Sequence, residues 1–229
     1  SYTVPSSPLT AITNTSWLTC QSHRFRDNST NNMTHTTYYT EVQAFSPFAP
    51  SRSYSKDAVG GSIHLDGTGD WVQINANKDI NVLNPSTTYT LEGWFYVDID
   101  TAGTRYIIAK GGTGTGWSVA SSHYLLLFLY NNSIYIQVKT GTGSFLQILG
   151  AHGPSYQWNH FAVGYDGTTH RMWYNGSSIG TSTTTPVGDV STNGQNMFIG
   201  VSNNGRTSPF AGYISNIRYV RGTDVYGVS

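Results

Sequence analysis

The chain has 229 residues, of which 10% are charged and 14% aromatic, against roughly 25% charged in an ordinary soluble domain; Ser, Thr, Asn and 25 glycines must cover its surface. Lys plus Arg and Asp plus Glu balance at 12 each, which leaves no field to gather nucleic acid or anionic lipid, and no apolar run approaches the roughly 20 residues of a membrane span. The single cysteine, Cys20, cannot form an internal disulfide, so the core is expected to hold the fold unaided.

Taken in chain order, residues 1–12 (SYTVPSSPLTAI) read as an extended linker, and residues 13–229 as one module. From Gly61 onward, short apolar runs recur every 8 to 12 residues or so with turn chemistry between them, the pattern of a sandwich or barrel. Tyr89, Leu91, Phe95 and Val97 alternate with Thr90, Glu92 and Tyr96, which predicts a strand with one apolar face. Leu125 to Tyr130 is apolar on both faces, as a central strand is. Ile134, Ile136 and Val138, and then Phe161, Val163 and Tyr165, repeat the period of two.

Asp66-Gly67, Asn131-Asn132, Asp166-Gly167, Asn175-Gly176 and Asn204-Gly205 are dipeptides that tolerate positive φ and close hairpins. Gly111 to Gly116 and Thr181 to Gly194 are longer and predict surface loops where a ligand could be met. No amphipathic helix is predicted.

Several segments, in order, resemble the laminin-G-like and concanavalin-A-related jelly roll. They are GSIHLDGTGDWVQI (Gly61–Ile74), TLEGWFYV (Thr90–Val97), WNHFAVGYDGTTHRMWYNG (Trp158–Gly176), MFIG (Met197–Gly200) and FAGYISNIRYVRGT (Phe210–Thr223). LTCQSHRFRDNSTNN (Leu18–Asn32) is similar to the first strand and turn of the same module. The resemblance implies an all-β, two-sheet antiparallel sandwich. More narrowly, VPSSPLTAI, LTCQSHRFRDNS and FSPFAP (Phe45–Pro50) resemble tandem laminin-G-like repeats of virion proteins in marine tailed phages, which implies a virion-surface or extracellular location.

The jelly roll also hosts glucanases, which need two carboxylates flanking the scissile bond. This chain has two glutamates, Glu41 and Glu92, far apart, and its closest acids, Asp98 and Asp100, lack a third. No G-x-S-x-G elbow or H-E-x-x-H pair is present. A non-catalytic module is expected, with His160 a packed core histidine. Calcium is the cofactor the resemblance implies, with Asp27, Asp66 and Asp70 as candidate ligands, although Ser215 and Asn216 stand where many relatives carry acids.

Exposed aromatic rings stack on the apolar face of a pyranose while amides and acids take its hydroxyls. Trp117, Tyr106, Tyr156, Asn203, Asn204 and Arg206 are the candidate glycan-binding residues. Trp94, Trp158 and Trp173 lie on strand patterns and read as core or sheet-covering residues. The expected partner is a glycan or host surface polysaccharide. The alternative is a structural or decoration module that contacts other virion subunits.

Overall fold

The computed structural model describes residues 1–22, 24–48, 60–75, 87–98, 103–111, 124–139, 145–184, 196–202 and 207–227. Among them are 15 strands: β1 (Thr15–Thr19), β2 (His35–Tyr38), β3 (Glu41–Gln43), β4 (Ser62–Asp66), β5 (Trp71–Ile74), β6 (Tyr89–Val97), β7 (Arg105–Gly111), β8 (Tyr124–Tyr130), β9 (Ser133–Lys139), β10 (Phe145–Ala151), β11 (Trp158–Tyr165), β12 (His170–Tyr174), β13 (Ser177–Ser182), β14 (Met197–Ile199) and β15 (Ala211–Arg221). No helix of the described residues is long and apolar enough to cross a membrane.

The strands form two antiparallel sheets. Sheet I runs β13-β12-β11-β6-β15-β4-β3, with β1 also paired to β15, and sheet II runs β10-β9-β8-β7-β14-β5-β2. Their facing sides supply one core. Tyr89, Leu91, Phe95 and Val97 of β6, Phe161, Val163 and Tyr165 of β11, and Ile134, Ile136 and Val138 of β9 all lie in it, each at or below 2% exposure. The period of two read from the sequence thus marks the inward faces. β8 lies inside sheet II between β7 and β9, which is why its run is apolar on both sides.

Asp66-Gly67 closes no hairpin, since β4 before it and β5 after it belong to different sheets, whereas two of the other dipeptides adopt the backbone their residue types favour. Asn131 and Asn132 (φ 44° and 62°) join β8 to β9, and Asn175 and Gly176 (φ 47° and 79°) join β12 to β13, positive at both central positions as a type I′ turn requires. Asn204-Gly205, residues 112–116 and residues 185–194 lie outside the described residues.

β15 organises sheet I. Its first part, Ala211 to Ile214, pairs with β4, and its later part, from Ile217, pairs with β1. A bulge separates them, with Asn216 at φ 51°. On the other edge β15 pairs with β6 along its length, and across the bulge the register jumps from Ser215↔Trp94 to Arg218↔Glu92.

Residues 1–12 form no strand, and five of the twelve, Tyr2, Val4, Pro5, Pro8 and Leu9, are half-buried or buried. Leu9 is buried with Leu18 and Trp94 on the outer face of sheet I, and Val4 joins them. The Leu9 amide donates to Asn216 Oδ1 at 2.9 Å, and the Tyr2 amide to the Gly176 carbonyl at 3.0 Å. The physical reason is that Leu9, Val4 and Tyr2 carry apolar surface that the outer face of sheet I can bury. Sheet I is therefore covered on both sides over part of its area.

Candidate functional site

The outer face of sheet I has a closed region and an open one. The closed region centres on Glu92, fully buried and in register with Arg218. Arg218 donates from Nε and Nη2 to Glu92 Oε1 at 2.9 and 2.6 Å, and from Nη1 to the Thr10 carbonyl at 2.9 Å. The Tyr226 hydroxyl donates to Glu92 Oε2, and His160 Nε2 lies 3.5 Å from that oxygen. Burial alone would raise the Glu92 carboxyl, but the neighbouring His160, Arg218 and Tyr226 outweigh it and hold it below its usual range.

His160 Nδ1 is 2.6 Å from the Tyr2 hydroxyl, and burial pushes its pKa down despite Glu92. A neutral ring accepting at Nδ1 carries its proton on Nε2, facing Glu92. Tyr2 stacks on Tyr226 at 3.9 Å, and both edge onto Trp173. With Glu92, His160 and Trp173 buried and Tyr2 and Tyr226 half-buried, this cluster ties the two tails to the sheet.

The open region lies toward the β6 C-terminus. Cross-strand register aligns Trp158 with Tyr96, Tyr96 with Tyr213, Tyr213 with His64, and His64 with Glu41. Five neighbouring strands, β11, β6, β15, β4 and β3, thus place Trp, Tyr, Tyr, His and Glu in one row, about 19 Å long at ordinary strand spacing. Phe45 lies against the middle of the row, 5.0 Å from Tyr96, 4.9 Å from Tyr213 and 5.2 Å from Trp158. Phe45, His64, Tyr96, Trp158 and Tyr213 are all half-buried.

Polar groups rim this row. His64 Nε2 is 3.6 Å from Asp98 Oδ2, and Glu41 is exposed. Tyr156, 65% exposed, sits at the row's end, where its amide donates to the Val97 carbonyl at 3.0 Å. Its φ of 64° is an uncommon conformation for an aromatic residue, of the kind that gathers at ligand-contacting positions. Ring faces flanked by carboxylates and an imidazole can take both the C–H face and the hydroxyls of a sugar.

Of the candidates read from the sequence, Tyr156 falls beside this row. Tyr106 lies on the outer face of sheet II, 5.5 Å from Phe128, which stacks on Tyr135, so the two tyrosines belong to different sheets. Trp117, Asn203, Asn204 and Arg206 lie outside the described residues. Trp94 and Trp173 are buried and Trp158 half-buried, in keeping with their strand positions. The row itself went unread: Tyr96 was visible only as the non-apolar side of an alternating strand, and register with Tyr213 and His64 is not a local property.

The structure places Asp27 apart from Asp66 and Asp70. Asp27 is buried and its carboxylate accepts from the Leu18 amide (3.0 Å), the Ser29 amide (2.9 Å), the Ser29 hydroxyl (2.8 Å) and the Met33 amide (2.9 Å). Both of its oxygens are engaged in holding the turn to β1. Asp66 ends β4 and Asp70 precedes β5 in the turn that carries the chain from sheet I to sheet II, Asp70 Oδ2 accepting the Asp66 amide at 2.8 Å and Asp66 Oδ1 the Thr68 amide at 2.6 Å. Leu18 registers with Arg218 and Asp66 with Ala211, so Asp27 lies toward the other end of β15. Among the described residues no three His, Cys, Asp or Glu side chains gather as ligands for a metal.

A laminin-G family model, described as the concanavalin A-like lectin/glucanases superfamily, matches residues 66–222. No curated protein matches the chain. Solved structures with a similar fold include the binding domain of botulinum neurotoxin serotype D, with TM-score 0.64 and 11% identity over 92% of this chain and 49% of that one. Another is the binding domain of Paraclostridial Mosquitocidal Protein 1, with TM-score 0.66 and 13% identity over 93% and 49%. A third is the binding domain of botulinum neurotoxin DC in complex with SialylT, with TM-score 0.64 and 11% identity over 93% and 49%. The chain spans about half the length of each of these structures. With a family model covering most of its length and both sheets of the sandwich in place, the chain belongs to the concanavalin A-like lectin/glucanase superfamily.

Proposed function

We propose that this chain is a non-catalytic carbohydrate-binding module, displayed on a phage particle or outside the cell, that holds a glycan against the open aromatic row of sheet I. The observation that carries this reading is the register of Trp158, Tyr96, Tyr213 and His64 across four adjacent strands, with Tyr156 exposed at its end. An extended, half-exposed platform of rings suits a chain of sugars better than one small ligand. The lectin character of the superfamily and a structural neighbour bound to SialylT point the same way. The glucanase side of the superfamily is disfavoured because Glu92 is shut from solvent by Arg218, while Glu41 stands by Gln43 on an exposed strand.

The test is a glycan array and solution titration of Trp158→Ala and Tyr213→Ala, with Trp117→Ala as the arm that probes the loop read from the sequence. Loss of one stacking ring is expected to weaken polysaccharide binding about tenfold. A wild-type protein that binds no glycan on the array, or ring variants that bind as well as wild type, removes the proposal.

A second reading, a structural module that contacts other virion subunits, is favoured by Phe145 and Leu149. Both are 43% exposed on β10, the edge strand of sheet II. Concentration-dependent self-association that Leu149→Lys abolishes would support it.

A further inference from the structure

Near the C-terminal end of β15, away from the aromatic row, the surface dips into a depression of about 380 Å3, lined by Ile12, Thr13, Asn14, Thr30, Asn31 and Arg221 among others. Of its lining residues only Arg221 is charged, in a molecule whose overall charge is zero. The Arg221 amide is tied to the Asn14 carbonyl at 3.0 Å, which fixes the residue at the rim. Arg221 is half-buried, and its guanidinium has no partner among the described residues.

The amides around it are similarly placed. Asn31 Nδ2 donates to the Ser16 carbonyl at 2.8 Å, which anchors the carboxamide, while its Oδ1 has no partner among the described residues. Asn14, exposed at φ 68°, has a carboxamide in the same condition. Ile12, 40% exposed, adds an apolar wall.

We propose that this depression binds a sugar acid, a hydroxyl-rich ring that carries one carboxylate. A guanidinium fork matches a carboxylate with two parallel hydrogen bonds, the Asn14 and Asn31 carboxamides pair with hydroxyls, and Ile12 receives the C–H face of the ring. The volume lies at the small end of ligand pockets, roughly 300–1,000 Å3, which suits one ring and part of a neighbour. One positive charge among amides and hydroxyls selects a monoanionic sugar over a polyphosphate. The site stands apart from the aromatic row: Arg221 is eight residues beyond Tyr213 on the same strand, roughly 25 Å.

The experiment compares D-galacturonic acid and N-acetylneuraminic acid with neutral D-galactose, titrated by NMR into the wild-type chain, Arg221→Gln and Trp158→Ala. Either acid is expected to bind in preference to galactose and to shift the Arg221 Nε–H and the Asn14 and Asn31 side-chain amide resonances. Which acid binds distinguishes a uronic from a sialic source. Arg221→Gln is expected to weaken that binding at least about tenfold, whereas Trp158→Ala leaves it unchanged, so failure here and failure of the aromatic row are read separately. Absence of binding by both acids, galactose binding equally well, shifts mapping elsewhere, or undiminished binding by Arg221→Gln overturns the proposal. If Arg221→Gln does not fold, the location of the wild-type shifts decides.

Discussion

His170 shows how one side chain sets a response of the whole fold. It is buried and stacked on Tyr165 at 4.1 Å, its Nδ1 has no hydrogen-bond partner, and burial pushes its pKa down to about 4 although Asp166 pulls the other way. In the unfolded chain the ring takes up a proton near pH 6.5, in the fold only near 4. The stability it contributes is complete above about pH 6.5 and is lost as pH falls toward 4, by roughly 3 kcal/mol at the end of that window. His160, lowered by burial as well, acts in the same direction. Asp224, whose buried carboxyl is raised, takes up its proton early in the fold and offsets part of the loss at the acid end. Urea unfolding between pH 7 and 4 should show the midpoint falling, and His170→Phe, which keeps the stacked ring, should flatten that fall; an unchanged slope discards the argument. At this scale much was legible, since His160 in its strand pattern read as packed. The partners were not, because Glu92 and Arg218 are 126 residues apart and only register joins them.

The β15 strand makes the corresponding case for elements. Its bulge at Asn216 forces two residues opposite one on β6, and that one is Gly93, where a Cβ would collide with Ile217 Cδ1. Gly212 has φ 139°, and a Cβ there would collide with the Tyr96 carbonyl and press on the Asp98 amide. Gly93→Ala should cost about 1–3 kcal/mol by overpacking, and Ile217→Val should restore part of it by removing the clashing methyl group. Gly212→Ala should cost more, because its neighbours are backbone and its φ favours glycine, and Ile217→Val should not help. Denaturation of the four variants checks the order, which reverses if the bulge is not the constraint. Strand positions, hairpin dipeptides and inward faces were legible from period-two alternation and Asn/Gly pairs, since these are local. The aromatic row was not, since Glu41, His64, Tyr96, Trp158 and Tyr213 come from five strands whose adjacency follows from topology alone.

For the whole molecule, the distinctive property is a second, smaller core on the outside of sheet I, where Leu9, Leu18 and Trp94 are buried beneath the N-terminal segment. Deleting residues 1–9 removes the Leu9 and Val4 side chains and the Tyr2 hydroxyl that caps His160. Their burial corresponds to roughly 3–5 kcal/mol, so the truncated chain should unfold cooperatively at a clearly lower urea concentration. An unaltered midpoint would return this segment to the status of a spacer. Its polar spelling, with Pro5, Pro8 and four serines and threonines around them, hides the three residues that anchor it. The Tyr2–Tyr226 stack also has a mechanical side. With residues 2 and 226 held ring to ring at 3.9 Å, tension applied through the two tails meets that stack and the Tyr2–His160 bond first. The contacts open one at a time, as in a peeled seam, and the paired strands of the sandwich bear load only after the clasp has given way.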